Sequence, residues 1–199
     1  MKHMVATILT LLNLSLTPAI GADTQKGLDA YLNGDYATAM SEWKPLAEQG
    51  DVSAQYNLGL LYESGLGVVQ DAFEAVKWYR LAADQGDASA QYNLGVIYDE
   101  GHGVPQDYTK AVKWYKLAAE QGDASAQSNL GVMYDNGWGV PHDHITAYMW
   151  FSIAASMGNK LALKNKDEIA KTMSSDDIDK AQAMVRECMD RDHKNCSGV

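Results

Sequence analysis

The chain has 199 residues and is acidic, with 26 Asp and Glu against 16 Lys and Arg and a formal net charge of −10. A negative field of this kind repels phosphate backbones and anionic membrane surfaces, which makes nucleic acid a poor partner. The chain is long enough to bury a continuous apolar core without a metal, so no cofactor is expected.

Residues 1–22 have the features of a secretory signal peptide. Lys2 begins a short basic segment, an apolar run follows as far as Leu16, and Pro18 ends the run. Small residues around Ala22 suit cleavage on either side of it. The run is too short to cross a bilayer comfortably, and no cysteine follows it to carry a lipid. We therefore expect an exported protein, periplasmic or secreted, with an uncleaved membrane anchor as the alternative.

Residues 23–50 are predicted to form an atypical first helix pair. A short Asn33-Gly34 turn separates its two helical stretches, and Trp43 and Pro45 lie in the second one. Proline inside a helix removes one backbone hydrogen bond and bends the helix. A terminal unit is expected to differ from its neighbours because one of its faces meets water.

Residues 51–158 contain three copies of one 36-residue repeat. Gly50, Gly86, Gly122 and Gly158 close successive blocks at equal intervals of 36 residues. One unit of this size cannot bury its apolar face alone and must stack on its neighbours, so a fixed period predicts a solenoid.

The first half of the middle repeat predicts a helix, which we call helix A of the unit. Ala90, Leu94, Ile97 and Tyr98 recur at helical spacing over about 13 residues and form one apolar face. Gly101 suits the left-handed position after a helix end, and the proline of the same loop cannot continue the helix.

The second half of the unit predicts helix B, with Asp107 as its N-cap and Gly122 after its end. Small residues, among them Gly95, would let the two helices approach closely, while Tyr98 and Trp114 would fill the remaining space. The unit is therefore expected to be a helix hairpin.

Residues 159–199 are predicted to form a capping helix pair and a tail. A basic helix is expected from Lys160 to about Met173, followed by a capping box at Ser174 and a final helix as far as about Asp192.

The two cysteines, Cys188 and Cys196, both lie near the end of the chain. In an exported protein such a pair predicts one disulfide bond that holds the tail on the last helix. Two free thiols in a frayed tail are the alternative.

The repeat carries the motif A-x-x-x-L-G-x-x-Y-x-x-G-x-G-V-x-x-D-x-x-x-A-x-x-W-x-x-x-A-A-x-x-G, complete at residues 54–86, 90–122 and 126–158. The motif resembles that of the Sel-one-like repeat family, which is related to tetratricopeptide repeats. The resemblance implies an all-α fold, a right-handed α/α superhelical solenoid of about five helix pairs here, and an adaptor that binds proteins rather than an enzyme.

No set of residues predicts catalysis or a metal site. Ser41 and Lys44 match the S-x-x-K spacing of penicillin-interacting enzymes, but neither S-D-N nor K-T-G occurs. His142 and His144 are two positions apart, and neighbours two apart on a helix do not share a face.

The resemblance to tetratricopeptide repeats implies that the A helices line a concave groove. The groove positions are a tyrosine or serine, an aliphatic residue and an acid in each unit. They are Tyr56, Leu60 and Glu63 in the first unit, Tyr92, Val96 and Asp99 in the second, and Ser128, Val132 and Asp135 in the third. Aromatic residues at such positions are enriched at binding hot spots.

These observations predict a monomeric, non-enzymatic scaffold of the bacterial cell envelope that binds a protein or peptide, one with basic and apolar residues. Membrane binding is not expected after signal cleavage. Two alternative hypotheses are a cell-wall or β-lactam hydrolase and a structural component of an envelope or polysaccharide-export assembly.

Overall fold

The computed structural model describes residues 24–191 and Cys196, so the predicted leader lies outside the described residues. The described part is all-helical, which confirms the predicted fold class. Its ten helices are α1 (Thr24–Leu32), α2 (Tyr36–Glu48), α3 (Val52–Ser64), α4 (Ala72–Asp84), α5 (Ala88–Glu100), α6 (Tyr108–Ala119), α7 (Ala124–Asn136), α8 (His144–Ser156), α9 (Lys160–Ala170) and α10 (Ser175–Asp190).

The helices stack in chain order, so that each one packs against the helix before it and the helix after it as far as α9. The odd-numbered helices are the A helices and the even-numbered helices are the B helices. The last helix departs from the order, because α10 packs against α8, the B helix of the preceding unit. The C-terminal end of the solenoid is thus covered by α10, which packs on the B helix α8.

The helix boundaries follow from capping residues that recur in every repeat. In the middle unit the carboxylate of Asp87 accepts a hydrogen bond from the backbone N–H of Ala90 over 2.7 Å and begins α5. Gly101 ends α5 with a φ of 72°, a left-handed conformation in which a side chain would cause strain. Asp107 caps α6 as predicted, accepting from the N–H of Lys110 over 3.0 Å.

Within each unit, a glycine of helix A receives an aromatic ring of helix B. A Cβ atom placed on Gly95 would lie 2.4 Å from the Tyr115 ring, and one placed on Gly59 would lie 2.5 Å from the Tyr79 ring. The residue that fills this contact is therefore Tyr115, whereas the sequence favoured Tyr98 and Trp114. Trp114 is nonetheless a core residue, with 4% of its surface exposed.

Buried glutamines join successive units. The side-chain amide of Gln91 donates to the carbonyl of Ala83, the residue near the end of the preceding B helix, over 3.1 Å. Its own carbonyl oxygen accepts from Gln121 over 2.8 Å. Gln55 makes the corresponding bond to Ala47. A buried amide that is satisfied in this way fixes the register of one unit on the next.

The C-terminal part differs in detail from the prediction. Helix α9 ends at Ala170, three residues before the expected Met173, and its C-cap is Lys171. Ser174 caps α10 as expected, accepting from the N–H of Asp177 over 3.2 Å. Cys188 and Cys196 form the predicted disulfide bond, and both are buried.

None of the ten described helices has the length and apolar character needed to cross a membrane.

Candidate functional site

The predicted groove residues lie on one side of three A helices, α3, α5 and α7. Tyr56, Leu60 and Glu63 on α3 are half-buried, and so are their counterparts Tyr92, Val96 and Asp99 on α5. On α7, Val132 and Asp135 are half-buried, while Ser128 is buried. The positions therefore repeat in space as well as in sequence, but they are partly engaged in packing.

Each groove tyrosine packs on the tyrosine that helix B places beside helix A. The ring centroids of Tyr56 and Tyr79 are 5.8 Å apart, and those of Tyr92 and Tyr115 are 6.1 Å apart. Such tilted aromatic pairs hold both rings in fixed orientations. Burial raises the pKa of the Tyr56 and Tyr92 hydroxyls, so both remain neutral donors at any physiological pH.

The acids of the first two units accept hydrogen bonds from these B-helix tyrosines. The Tyr79 hydroxyl donates to Glu63 over 2.6 Å, and the Tyr115 hydroxyl donates to Asp99 over 3.2 Å. Burial raises the pKa of Asp99, while the Tyr115 hydrogen bond opposes that shift. Asp99 is therefore a structural hydrogen-bond acceptor in its own unit.

An asparagine of the following unit completes each cluster. The side chain of Asn93 lies beside the hydroxyls of Tyr56 and Tyr79, and that of Asn129 lies beside those of Tyr92 and Tyr115. Each asparagine lowers the pKa of these hydroxyls, against the larger effect of burial. These asparagines were not among the predicted site residues, although they recur 36 residues apart, each directly before a Leu-Gly pair. A Tyr-Tyr-Asn-acid cluster therefore repeats along the A helices and spans the junction between units.

The third unit lacks this cluster. Ser128 stands where the other units have the groove tyrosine, and Phe151 stands where they have Tyr79 and Tyr115. Phe151 has no hydroxyl to donate, so Asp135 instead lies 3.4 Å from Nε2 of His144. The acid row continues through all three units, but its local partners change.

The residues with potential chemistry elsewhere are on the surface. Ser41 donates its hydroxyl to the carbonyl of Thr38 over 2.8 Å, and both Ser41 and Lys44 are exposed on α2. Asp135, His142 and His144 could hold a metal ion, because one ligand atom from each lies within 4.8 Å of the other two.

A cavity of about 480 Å³ lies between the first and second units. Its lining includes Glu63 and Gln70 at the corner where α3 leads to α4, and Ile97 and His102 from the next unit. The carboxylate of Glu63 thus borders a cavity at the junction between these two units.

The chain is similar to known repeat proteins in its sequence and in its fold. The model of the Sel1 repeat matches residues 52–87, 88–123 and 124–159, more than half of the chain. The crystal structure of a Sel1 repeat protein from Oxalobacter formigenes is similar, with 35% identity and a TM-score of 0.69 over 77% of this chain and 66% of that chain. No curated protein matches.

A second solved structure extends the comparison. It is that of c5321, a protective antigen present in uropathogenic Escherichia coli strains that displays an SLR fold. The identity is 42% and the TM-score 0.67, over 72% of this chain and 32% of that chain. The present chain thus spans just under two thirds of the first relative and about one third of the second.

Proposed function

The chain belongs to the Sel1 repeat family, and from that premise we propose that it is an exported, non-enzymatic scaffold that holds a protein or peptide against its A helices. Sel1 repeat proteins generally bind other proteins and are typically not catalysts. The Cys188–Cys196 disulfide bond supports export to an oxidising compartment, because such bonds persist mainly outside the reducing cytosol.

The observation that carries the proposal is the repeated cluster on the A helices. Tyr56 and Tyr92 are half-buried and fixed by aromatic and asparagine contacts, so each offers a stiff surface that loses little entropy on binding. Leu60, Val96 and Val132 add an apolar stripe beside them.

The position of the A layer supports a concave binding face. In the regular repeats the A helices α5 and α7 contact each other directly, and α7 contacts α9 in the same way, whereas the contact between the B helices α8 and α10 belongs to the end of the stack. In a curved stack, the layer whose members lie closest together is the inner layer. The partner segment would then lie along the inner surface, across the junctions between units.

The chemistry of the partner follows from the acids. Glu63, Asp99 and Asp135 place a row of carboxylates next to the apolar stripe, and the whole chain is acidic. A segment that combines apolar residues with Lys or Arg is complementary to this surface, and its association should slow as salt rises.

Site-specific photo-crosslinking in the native cell tests this proposal. A benzoylphenylalanine in place of Tyr92 should give a discrete crosslinked product, while the same residue in place of Leu117, an exposed position on the B helix α6, should not. A product at position 117 alone would place the binding surface on the B layer and refute the proposal. The hydrolase reading would require turnover of a chromogenic β-lactam, which a scaffold lacks.

A further inference from the structure

We propose that Asp135, His142 and His144 form a binding site for a divalent transition-metal ion of the zinc, nickel or copper type. The site lies at the corner where α7 leads through a loop to α8, and it is separate from the tyrosine clusters of the first two units. Within residues 24–191 and Cys196, no other group of three or more His, Cys, Asp and Glu residues has ligand atoms this close together.

The two imidazoles converge because only one of them belongs to a helix. His144 is the first residue of α8, and Asp143 is its N-cap, with an extended backbone at φ −154° and ψ 101°. His142 precedes the cap, so the rule that separates side chains two positions apart on a helix does not apply to it. The ring centroids lie 4.3 Å apart, with the rings edge to face.

The spacing of the third ligand suits a metal. Nε2 of His144 and Oδ1 of Asp135 are 3.4 Å apart, long for a hydrogen bond. Two ligands at the usual zinc bond lengths of about 2.0–2.2 Å are separated by about 3.4 Å in a tetrahedral arrangement. His142 lies within 4.8 Å of both atoms, and it is exposed and can rotate toward them.

The acid between the two histidines is not a ligand. One carboxylate oxygen of Asp143 accepts from the backbone N–H groups of Ile145 and Thr146, over 2.9 and 3.2 Å. The other accepts from the Thr146 hydroxyl over 2.7 Å. Asp143 is therefore committed to the helix cap, which leaves two imidazoles and one carboxylate.

The loop that carries the site is held in place by the preceding unit. Trp138 stacks on Tyr108, with ring centroids 5.3 Å apart and an angle of 11° between the planes. A Cβ atom on Gly139 would lie 2.4 Å from the backbone carbonyl of Tyr108, so the loop rests directly on the start of α6. A fixed loop lowers the entropy cost of bringing ligands together.

Comparison of the three units shows that the ligands belong to the third one. The middle unit has Gln106 and Tyr108 at the positions of the two histidines, and the Gln106 amide donates to the carbonyl of Asp99 over 2.6 Å. Asp99 itself accepts from the Tyr115 hydroxyl. In the third unit His142 replaces the glutamine, His144 replaces Tyr108 and Phe151 replaces Tyr115. Because Phe151 has no hydroxyl to donate, the carboxylate of Asp135 lies beside the imidazoles instead.

The ligand set indicates the class of ion. Imidazole nitrogen suits zinc, copper and nickel, whereas magnesium and calcium prefer sites made of oxygen alone. Three protein ligands on an exposed corner leave coordination positions for water or for a group from a partner.

The test uses tag-free protein with its disulfide bond intact, because a histidine tag or free thiols would bind the same ions. Titration with Zn²⁺ against a chromophoric chelator should show one ion bound per chain. His144→Ala and the isosteric Asp135→Asn should each weaken binding at least about tenfold, since each removes a ligand. His102→Ala removes the exposed histidine of the preceding loop and is the matched control, with unchanged affinity.

A second readout separates a metal site from a simple ion pair between His144 and Asp135. The electron paramagnetic resonance spectrum of the Cu²⁺ complex should show two bound imidazole nitrogens in the parent and one in His142→Ala. Absence of stoichiometric Zn²⁺ binding by the parent, or equal affinity in His144→Ala and the parent, would mean an ion pair only and would overturn the proposal. Melting curves without metal check that each variant is folded.

Discussion

Replacing Gly95 with alanine tests the close contact between helices A and B, because two known effects oppose each other there. Alanine favours the helix by about 0.8–1.0 kcal/mol over glycine. Against this, the new Cβ would lie 2.4 Å from the fully buried ring of Tyr115, about 1 Å closer than ordinary contact. A methyl group fixed to the backbone cannot rotate away, so the ring or the helix must move.

Overpacking of a filled core costs about 1–3 kcal/mol, and the buried ring places this case at the upper end. We expect a net loss of about 2 kcal/mol in the free energy of unfolding, measured by urea denaturation. The control is the same substitution in a Tyr115→Ala background, where alanine at position 95 should be neutral or stabilising. Equal or greater stability of the single variant Gly95→Ala would refute the contact.

Three further predictions concern the core, the loop and the tail. Trp114→Ala should cost about 3–5 kcal/mol, and an unchanged melting curve would contradict its place in the core. Gly103→Val should destabilise, because Gly103 has a φ of 72° and a Cβ there would lie 2.1 Å from that of Ala72; wild-type stability would argue against this backbone. The unfolded, unreduced protein should not react with a maleimide, since Cys188 and Cys196 are bonded; labelling of both would refute the disulfide.

The fold was predictable because the residues that begin and end each helix recur at the same positions in every repeat. The caps Asp87 and Asp107 and the left-handed Gly101 stand at fixed intervals, and each has a local effect that depends on few neighbours. The position of α10 was not predictable in this way, because its packing on α8 depends on which apolar surfaces remain uncovered at the end of the stack.

The candidate site was predictable only in part, because the residue pattern of one helix does not reveal which side chains of other helices contact it. Asp99 was predicted as a groove acid from its position on helix A alone. The structure adds a hydrogen bond from Tyr115 and half-burial, so a lysine at this position would lose the bond and clash with the buried ring. Asparagine keeps an acceptor oxygen and is the better probe of charge.

The histidines show a second limit of sequence reasoning. The two-residue spacing of His142 and His144 excludes a shared metal site only when both residues are helical. The N-cap at Asp143 lies between them, so a shift of the helix start by two residues decides whether their side chains diverge or converge.

The central claim is that the A-helix face binds a partner. Its most direct test is to measure binding kinetics with the partner that crosslinking identifies, purified in its free form. Surface plasmon resonance should show faster dissociation for Tyr92→Ala, with a loss of about 1–3 kcal/mol in affinity, and slower association for Asp99→Asn at low salt. Equal rate constants for both variants and the parent, with all three proteins folded, would contradict the account.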